Sequence, residues 1–316
     1  MNPEPASRSA RPRVVVFAYH DVGVRGLAIL LANAVDVALV VTHDDDPRET
    51  IWFDSVAELA ALNGIPVIRP ADPNTPEVVE RVHQCRPQWL FSFYYRHLLG
   101  AELLALPKRG AYNLHGSLLP QYRGRAPVNW AVLHGESRTG ASLHRMVLEP
   151  DAGALVQQQP VPILPNDTAF DVFRKVTVAA EQVLACSLPA LFNGTATETP
   201  LDLGSGSCFR GRRPEDGRID WHAGSDTIHN LIRAVAPPFP GAFGDVGGTR
   251  LRVLGSYRRG EHATGGEVRL YWDGGRCYLD CTDRRRLHLT RLAVNSRDLD
   301  EMRFVAKFDS TQVRIA

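Results

Sequence analysis

From Val14 to His115 the chain alternates apolar runs of strand length with stretches of helical spacing, and this leaves few folds open. Val14 to Tyr19 is continuously apolar, as strands buried on both faces are. Val35 to Thr42, Gln88 to Tyr95 and Ala111 to His115 read as further long strands, and Val67-Ile68 as a short one. Between them Gly26 to Ala34, Ser55 to Asn63 and Thr75 to Cys85 carry helical spacing, the last capped by Thr75 with Pro76 at its first position. Such alternation implies an α/β, doubly wound, Rossmann-like parallel sheet. The turn from Tyr19 to Gly26 offers Gly23 and Gly26 but no Gly-x-Gly-x-x-Gly, and there is no Walker A string. Glycines of a tight turn explain both positions, so a nicotinamide-dependent dehydrogenase is disfavoured.

Further along, the apolar runs Ala141 to Leu148 and Ala154 to Val161 flank Glu149-Pro150-Asp151-Ala152-Gly153, a strand, loop and strand. Asp167 to Phe192 reads as one long helix with Asp167 or Thr168 at its N-cap. Its Phe170, Phe173, Val176, Val178, Val183 and Leu184 sit at core spacing and are read as packing. Asn193 to Asp216 is rich in Gly, Ser, Arg and Pro, a linker composition with a boundary near Pro200. After it come a helix at Ser225 to Ala234 and strand-like runs at Arg250 to Leu254, Glu267 to Trp272, Arg276 to Cys281 and Leu287 to Val294. Gly247-Gly248 and Gly274-Gly275 supply turns for a meander or small barrel. The expected layout is a tail over 1–12, a catalytic domain over 13–200, a linker over 201–216 and a smaller C-terminal domain over 217–316.

A chain of 316 residues suits two domains, and 44% hydrophobic with 22% charged residues is ordinary for a globular protein. A formal net charge of +1 gives no general attraction to nucleic acid or to an anionic membrane. The five cysteines, at 85, 186, 208, 277 and 281, form no Cys-x-x-Cys pair. An odd count without a secretory signal points to reduced, structural thiols and a cytoplasmic location. Met1 to Pro12 reads as a disordered tail, and no later stretch approaches the ~18 apolar residues of a membrane span.

Asn113-Leu114-His115-Gly116-Ser117-Leu118-Leu119-Pro120 is the most specific string. An amide and an imidazole at alternate strand positions share one face, and the carboxyl end of a strand is where an open α/β sheet holds its chemistry. Those two residues alone fit a buried strand equally well. With Tyr122-Arg123-Gly124-Arg125-Ala126-Pro127, however, the string resembles the signature of the 10-formyltetrahydrofolate-dependent formyltransferases. Phe17-Ala18-Tyr19-His20-Asp21, Phe91-Ser92-Phe93-Tyr94-Tyr95-Arg96-His97 and Arg233-Ala234-Val235 leading to Pro240-Gly241-Ala242-Phe243 narrow it further. They resemble the members that act on UDP-4-amino-4-deoxy-L-arabinose, on the way to aminoarabinose-modified lipid A and polymyxin resistance.

That resemblance implies a catalytic trio of Asn113, His115 and Asp151, and an OB-like C-terminal β-barrel. Formyl transfer from a folate nitrogen to an amine passes through a tetrahedral oxyanion, and a pre-aimed donor there is typically worth ~3 kcal/mol. Asn113 offers a neutral NH₂ donor. An imidazole can take the amine's proton and return it to the folate nitrogen, which suits His115. Asp151, folded back, would fix that ring; without the resemblance, Pro-Asp-Ala-Gly is ordinary turn chemistry. The chemistry needs no metal, and His20, His43, His134, His144 and His229 lack ligand partners at metal spacing, so they are read as structural. His20-Asp21, at the end of the first strand, is the pair to watch.

By the same resemblance, His97-Leu98-Leu99 and Val147-Leu148-Glu149-Pro150-Asp151 hold the folate co-substrate, and Arg125 engages it. For the acceptor, a UDP-linked amino sugar is favoured over initiator Met-tRNA. The tRNA enzymes carry a basic insertion where this chain has His43-Asp44-Asp45-Asp46-Pro47-Arg48-Glu49, which repels a polyanion. The Arg-rich stretches at 210–213 and 284–286 argue the other way with a modest field. A non-catalytic folate or sugar-nucleotide module is the other alternative, disfavoured because binding alone needs no acid/base trio. The chain ends at Ala316, so a dehydrogenase of the kind often fused to the arabinose enzymes is expected on another polypeptide. Homo-oligomer formation is left open.

Overall fold

The structure, a computed structural model, describes residues 11–47, 49–263 and 265–315. The tail expected over Met1 to Pro12 lies outside these except for Arg11 and Pro12. In chain order the main elements are β1 (Arg13–Ala18), α1 (His20–Ala32), β2 (Asp36–Val41), α2 (Val56–Leu62), β3 (Val67–Ile68), α3 (Pro76–Gln84), β4 (Trp89–Phe93), α4 (Ala101–Ala105) and β5 (Gly110–His115). Then follow β6 (Arg123–Gly124), α5 (Pro127–Leu133), β7 (Arg138–Arg145), β8 (Leu155–Pro162), α6 (Ala169–Asn193), β9 (Cys208–Phe209) and α7 (Ser225–Ala234). The chain closes with β10 (Ala242–Val246), β11 (Thr249–Tyr257), β12 (Arg269–Asp273), β13 (Arg276–Asp280), β14 (Arg286–Val294), β15 (Arg297–Asp298), α8 (Glu301–Phe308) and β16 (Gln312–Arg314). Two compact units emerge. One comprises the chain to Arg123 with Gly140–Gln159 and Thr177–Ser207, the other Gly124–Thr139, Pro160–Val176 and Cys208–Ala316.

The first sheet runs β3-β2-β1-β4-β5-β7-β8. Strands β3 to β5 in that order pair in parallel, and β7 pairs antiparallel to β5. Both faces are covered, as continuous apolar strands require. Val15, Phe17, Leu39, Val41 and Leu90 pack with Val78 and Val82 of α3 and Leu103 of α4. On the other face α1 crosses Phe93 so closely that a Cβ on Gly26 would lie 2.6 Å from its ring, and one on Gly23 2.9 Å from Val56. These glycines therefore serve helix packing inside α1, which begins at His20; they do not form the tight turn expected from sequence. The parallel sheet with its helices, and an antiparallel half-barrel sheet ordered β10-β11-β14-β13-β12-β16, give the anticipated α/β plus OB-like class. The second sheet buries Leu251, Val253, Leu270, Leu279 and Leu287 against Ile228 and Ile232 of α7 and Phe304 of α8.

Several local expectations need correcting. Thr75 stands at the N-cap of α3, with Pro76 following, but its side chain makes no capping bond. For α6 it is Thr168 that caps, its hydroxyl accepting the Asp171 N–H at 3.2 Å. Val178 is 52% exposed, whereas Phe173, Val176, Val183 and Leu184 are buried as read. By length and composition alone α6 is apolar enough to cross a membrane, contrary to the sequence reading. It carries Asp171, Arg174, Lys175 and Glu181, however, and its buried stripe is that of a core helix. All five cysteines are free; Cys277 and Cys281 are buried and their thiols pushed up to about 12 by that burial, while Cys186 and Cys208 are exposed and pack little.

Candidate active site

β5 and β7 lie antiparallel with Asn113 opposite His144 and His115 opposite Ser142. Directly opposed residues share a face with Cβ atoms about 5 Å apart, and residues two apart on one strand share it too. The register thus gathers Asn113, His115 and His144 at the carboxyl end of β5. The turn after β7 delivers a carboxylate to them. It is closed at its base by Arg145 N–H donating to the Ala154 carbonyl at 2.8 Å. Within it Asp151 adopts φ 52°, a left-handed conformation uncommon for a residue with a side chain. Such strain persists only where the surroundings over-determine it. Gly153 supplies that constraint: a Cβ there would lie 1.9 Å from the Arg145 carbonyl oxygen.

As a result Asp151 Oδ1 stands 3.4 Å from His115 Nδ1, 3.4 Å from His144 Nε2 and 3.4 Å from Asn113 Nδ2. Asn113 Nδ2 also meets His144 Nε2 at 3.1 Å. The side chains of His115, His144 and Asp151 are 7%, 2% and 11% exposed, so the Asp151 carboxylate acts on both rings with little screening. The remaining ring nitrogens both meet backbone carbonyls at 2.8 Å: His115 Nε2 that of Tyr122, His144 Nδ1 that of Arg145. A carbonyl only accepts, so each of these nitrogens carries a proton. The Tyr122 carbonyl therefore fixes the His115 ring, a task expected of Asp151 alone, and turns Nδ1 toward Asp151. His144, read from sequence as structural, belongs to this cluster. The signal that points to it is its place on the strand that ends in the Asp151 turn.

A second group of rings occupies the ends of β1, β2 and β4. His20, at φ 68°, stacks on Phe53 at 3.9 Å and meets Trp52 edge-on at 4.5 Å. His43 stacks on Tyr95 at 4.1 Å, and its Nε2 accepts the Arg96 N–H at 3.0 Å. Burial above all, with Arg96 adding repulsion, pushes His20 down to about 3; burial, then His97 and Arg96, push His43 down to about 4. Arg96 spans the group, its guanidinium 4.7 Å above Tyr19 and bonded to both Glu49 oxygens at 2.9 and 2.7 Å. Tyr19 donates its hydroxyl to Asp45 at 2.7 Å. Beside these a cavity of about 460 Å³ is lined by Tyr19, His43, Asp44, Asp45, Phe53 and Asp54 among others.

The segments expected to hold folate present apolar side chains outward: Leu98, Val147 and Leu148 are 67%, 44% and 67% exposed. Leu99 and Met146, their neighbours, anchor in one core cluster. Asn74 pins the first segment, donating to the Leu98 carbonyl at 3.0 Å and accepting from Gly100 N–H. His97 lies 5.0 Å from the His43 ring, and Glu149, just before Pro150, pairs with Arg123 at 2.8 Å. Arg125 is exposed in the second unit, its N–H donating to the Phe209 carbonyl at 3.0 Å. Among the described residues no group of three or more His, Cys, Asp or Glu side chains has the geometry to hold a metal.

A doubly wound sheet with an imidazole–carboxylate–amide cluster at a strand end is the arrangement by which open α/β folds present their chemistry. Residues 23–188, just over half of the chain, match the formyl transferase family, and residues 212–298 match the formyl transferase C-terminal domain. The chain belongs to the formyl transferase family and is a formyl-transferring enzyme. Among solved structures it resembles the N-formyltransferase from Helicobacter canadensis in complex with folinic acid and dTDP-3-aminofucose. That match has TM-score 0.71 and 22% identity over 88% of this chain and 98% of the other. It also resembles WlaRD, a sugar 3N-formyl transferase solved in the presence of dTDP and 5-N-formyl-THF (TM-score 0.70, 19% identity, 87% and 96% covered). HypX from Aquifex aeolicus, in complex with tetrahydrofolic acid, is matched over 94% of this chain but 47% of its own (TM-score 0.64, 18% identity). At these identities the likeness speaks to the fold.

Proposed function

We propose that this enzyme transfers the formyl group of 10-formyltetrahydrofolate to the 4-amine of UDP-4-amino-4-deoxy-L-arabinose. The proposed setting is the cytoplasm, on the way to aminoarabinose modification of lipid A and polymyxin resistance. The carrying observation is the meeting of Asn113 and His115 around one oxygen of Asp151. The acceptor nitrogen attacks the formyl carbon, and the carbonyl electron pair moves onto oxygen. Asn113 donates an N–H to that oxygen, an effect typically worth ~3 kcal/mol. Nδ1 of His115 takes the amine's proton, and Asp151 steadies the imidazolium. The proton then passes to the folate nitrogen as its bond to carbon breaks, leaving the formamide and tetrahydrofolate. Leu98, Val147 and Leu148 offer the apolar contacts a pterin ring requires.

A nucleotide-linked amino sugar is favoured as the acceptor because two of the solved relatives above are sugar N-formyltransferases. It also suits the acidic stretch after β2, where Asp44 and Asp45 line the cavity and would repel the many phosphates of a tRNA. The test is product formation from 10-formyltetrahydrofolate with UDP-4-amino-4-deoxy-L-arabinose, other nucleotide amino sugars and initiator Met-tRNA. Formylation of the arabinose compound with weak salt dependence is expected. Efficient formylation of Met-tRNA at physiological salt would overturn the acceptor, and turnover with another amino sugar alone would change only the sugar.

A further inference from the structure

We propose that His144 is a positioning residue for formyl transfer, acting through Asn113; the inference rests on the catalytic reading of Asn113 and His115 given above. Its carrier is a chain of three hydrogen-bonding facts. The Arg145 carbonyl holds His144 Nδ1 at 2.8 Å, so that nitrogen is the protonated one. A ring with one proton then has a bare Nε2, which accepts an N–H of Asn113 at 3.1 Å. An amide can turn end for end about its last torsion, exchanging its oxygen for its NH₂. With an imidazole lone pair on one side and Asp151 Oδ1 at 3.4 Å on the other, only the NH₂ end fits inward.

The consequence is directional. One N–H of Asn113 is committed to His144, and the second, which reaches Asp151 only at the long distance of 3.4 Å, is the one offered to the formyl oxygen. Had His144 carried its proton on Nε2, it would have drawn the amide oxygen inward and set two lone pairs against each other at the reacting carbonyl. When His115 holds the amine's proton, the Asp151 charge is drawn to that imidazolium. The His144 bond then keeps the amide from turning at the moment its donor is needed. A purely structural histidine needs a partner for each nitrogen but no particular tautomer. Here the tautomer is set by the same Arg145 carbonyl that Gly153 crowds, beside the strained Asp151.

The experiment is a double-mutant cycle between positions 144 and 113, read as kcat and KM for both substrates at fixed pH. His144→Ala is expected to lower kcat by about tenfold or more with both KM values changed less than about twofold, the mark of a donor realised in the transition state. His144→Gln, whose amide oxygen can accept at the Nε2 position, should recover most of that loss. In an Asn113→Ala background the His144→Ala step should cost less than about twofold, because residues acting as a unit are not additive. If His144→Ala does not fold, as judged by its melting curve, His144→Leu takes its place in every arm. An undiminished kcat, a change confined to KM, or a full additional loss on top of Asn113→Ala would each overturn the proposal. Failure of Asn113→Ala and His115→Ala to lower kcat would instead sink the catalytic reading beneath it.

Discussion

Four histidines stand at or near strand ends of one sheet, yet they form two unlike pairs. His20 and His43 meet aromatic faces and backbone N–H groups, and burial leaves them uncharged far into the acid range. His115 and His144 each meet Asp151 at 3.4 Å. Position at the carboxyl end of a strand is common to both pairs and so does not decide chemistry. A carboxylate beside a ring can orient it and steady a proton that reaches it during turnover, whereas an apolar shell offers no such partner. The turn after β7, by delivering one carboxylate, is what separates the proposed proton-transfer site from a set of packed rings.

The sharpest way to break this comparison is to remove the imidazole proposed to move the proton. His115→Ala should cut turnover by about 10²-fold or more with folate binding nearly intact. A loss below tenfold with the fold preserved would take proton transfer away from His115. Next, Asp151→Asn keeps the shape and deletes the charge; a fall in kcat on the order of 30-fold is expected, by analogy with general acid–base contributions. Equal kcat in the variant would show that the carboxylate does not distinguish the pairs.

The other pair should betray itself in stability instead. A histidine pushed down in the folded state binds fewer protons there than in the unfolded chain, so stability rises with pH between the two pKa values. For His43 that window runs from about 4 up to the ordinary value near 6.5, and stability is lost as pH falls through it. His43→Gln, which retains an acceptor for Arg96 N–H, should flatten the decline in melting temperature between about pH 6.5 and 4.5, and leave the pH profile of kcat unmoved. A shifted kcat profile would merge the two pairs. The smallest effect is expected at the strap beside His43: Glu49→Gln breaks a half-exposed ion pair with Arg96, worth about 0.5 kcal/mol in thermal unfolding.

Much of this was legible in the sequence, and the exceptions share a cause. β1, β2, β4 and β5 announce themselves as apolar runs, because strands buried on both faces must be apolar throughout. Asn113 and His115 follow from period two along a single strand. His144 does not, because its nearness to Asn113 depends on the antiparallel register of β5 with β7, a pairing across sequence that periodicity cannot reveal. Gly23 and Gly26 read as turn residues for the same reason: the Val56 side chain that crowds the first and the Phe93 ring that crowds the second are remote in the chain. The helix α8 went unread although Asp300 caps it, accepting the Arg303 N–H at 2.9 Å, since its amphipathic stretch is short and follows a run of strands.

Gly153 carries an implication for how such an enzyme could diversify. No other side chain fits against the Arg145 carbonyl, so the route through sequence space is closed at that one position. On the proposed reading, a lineage, or a designer, seeking a new acceptor would vary the stretch after β2, whose side chains line open space, and leave the β7–β8 turn as inherited. A library randomised at positions 44, 45 and 54 should retain many active members, whereas one randomised at 153 should collapse to the parent residue.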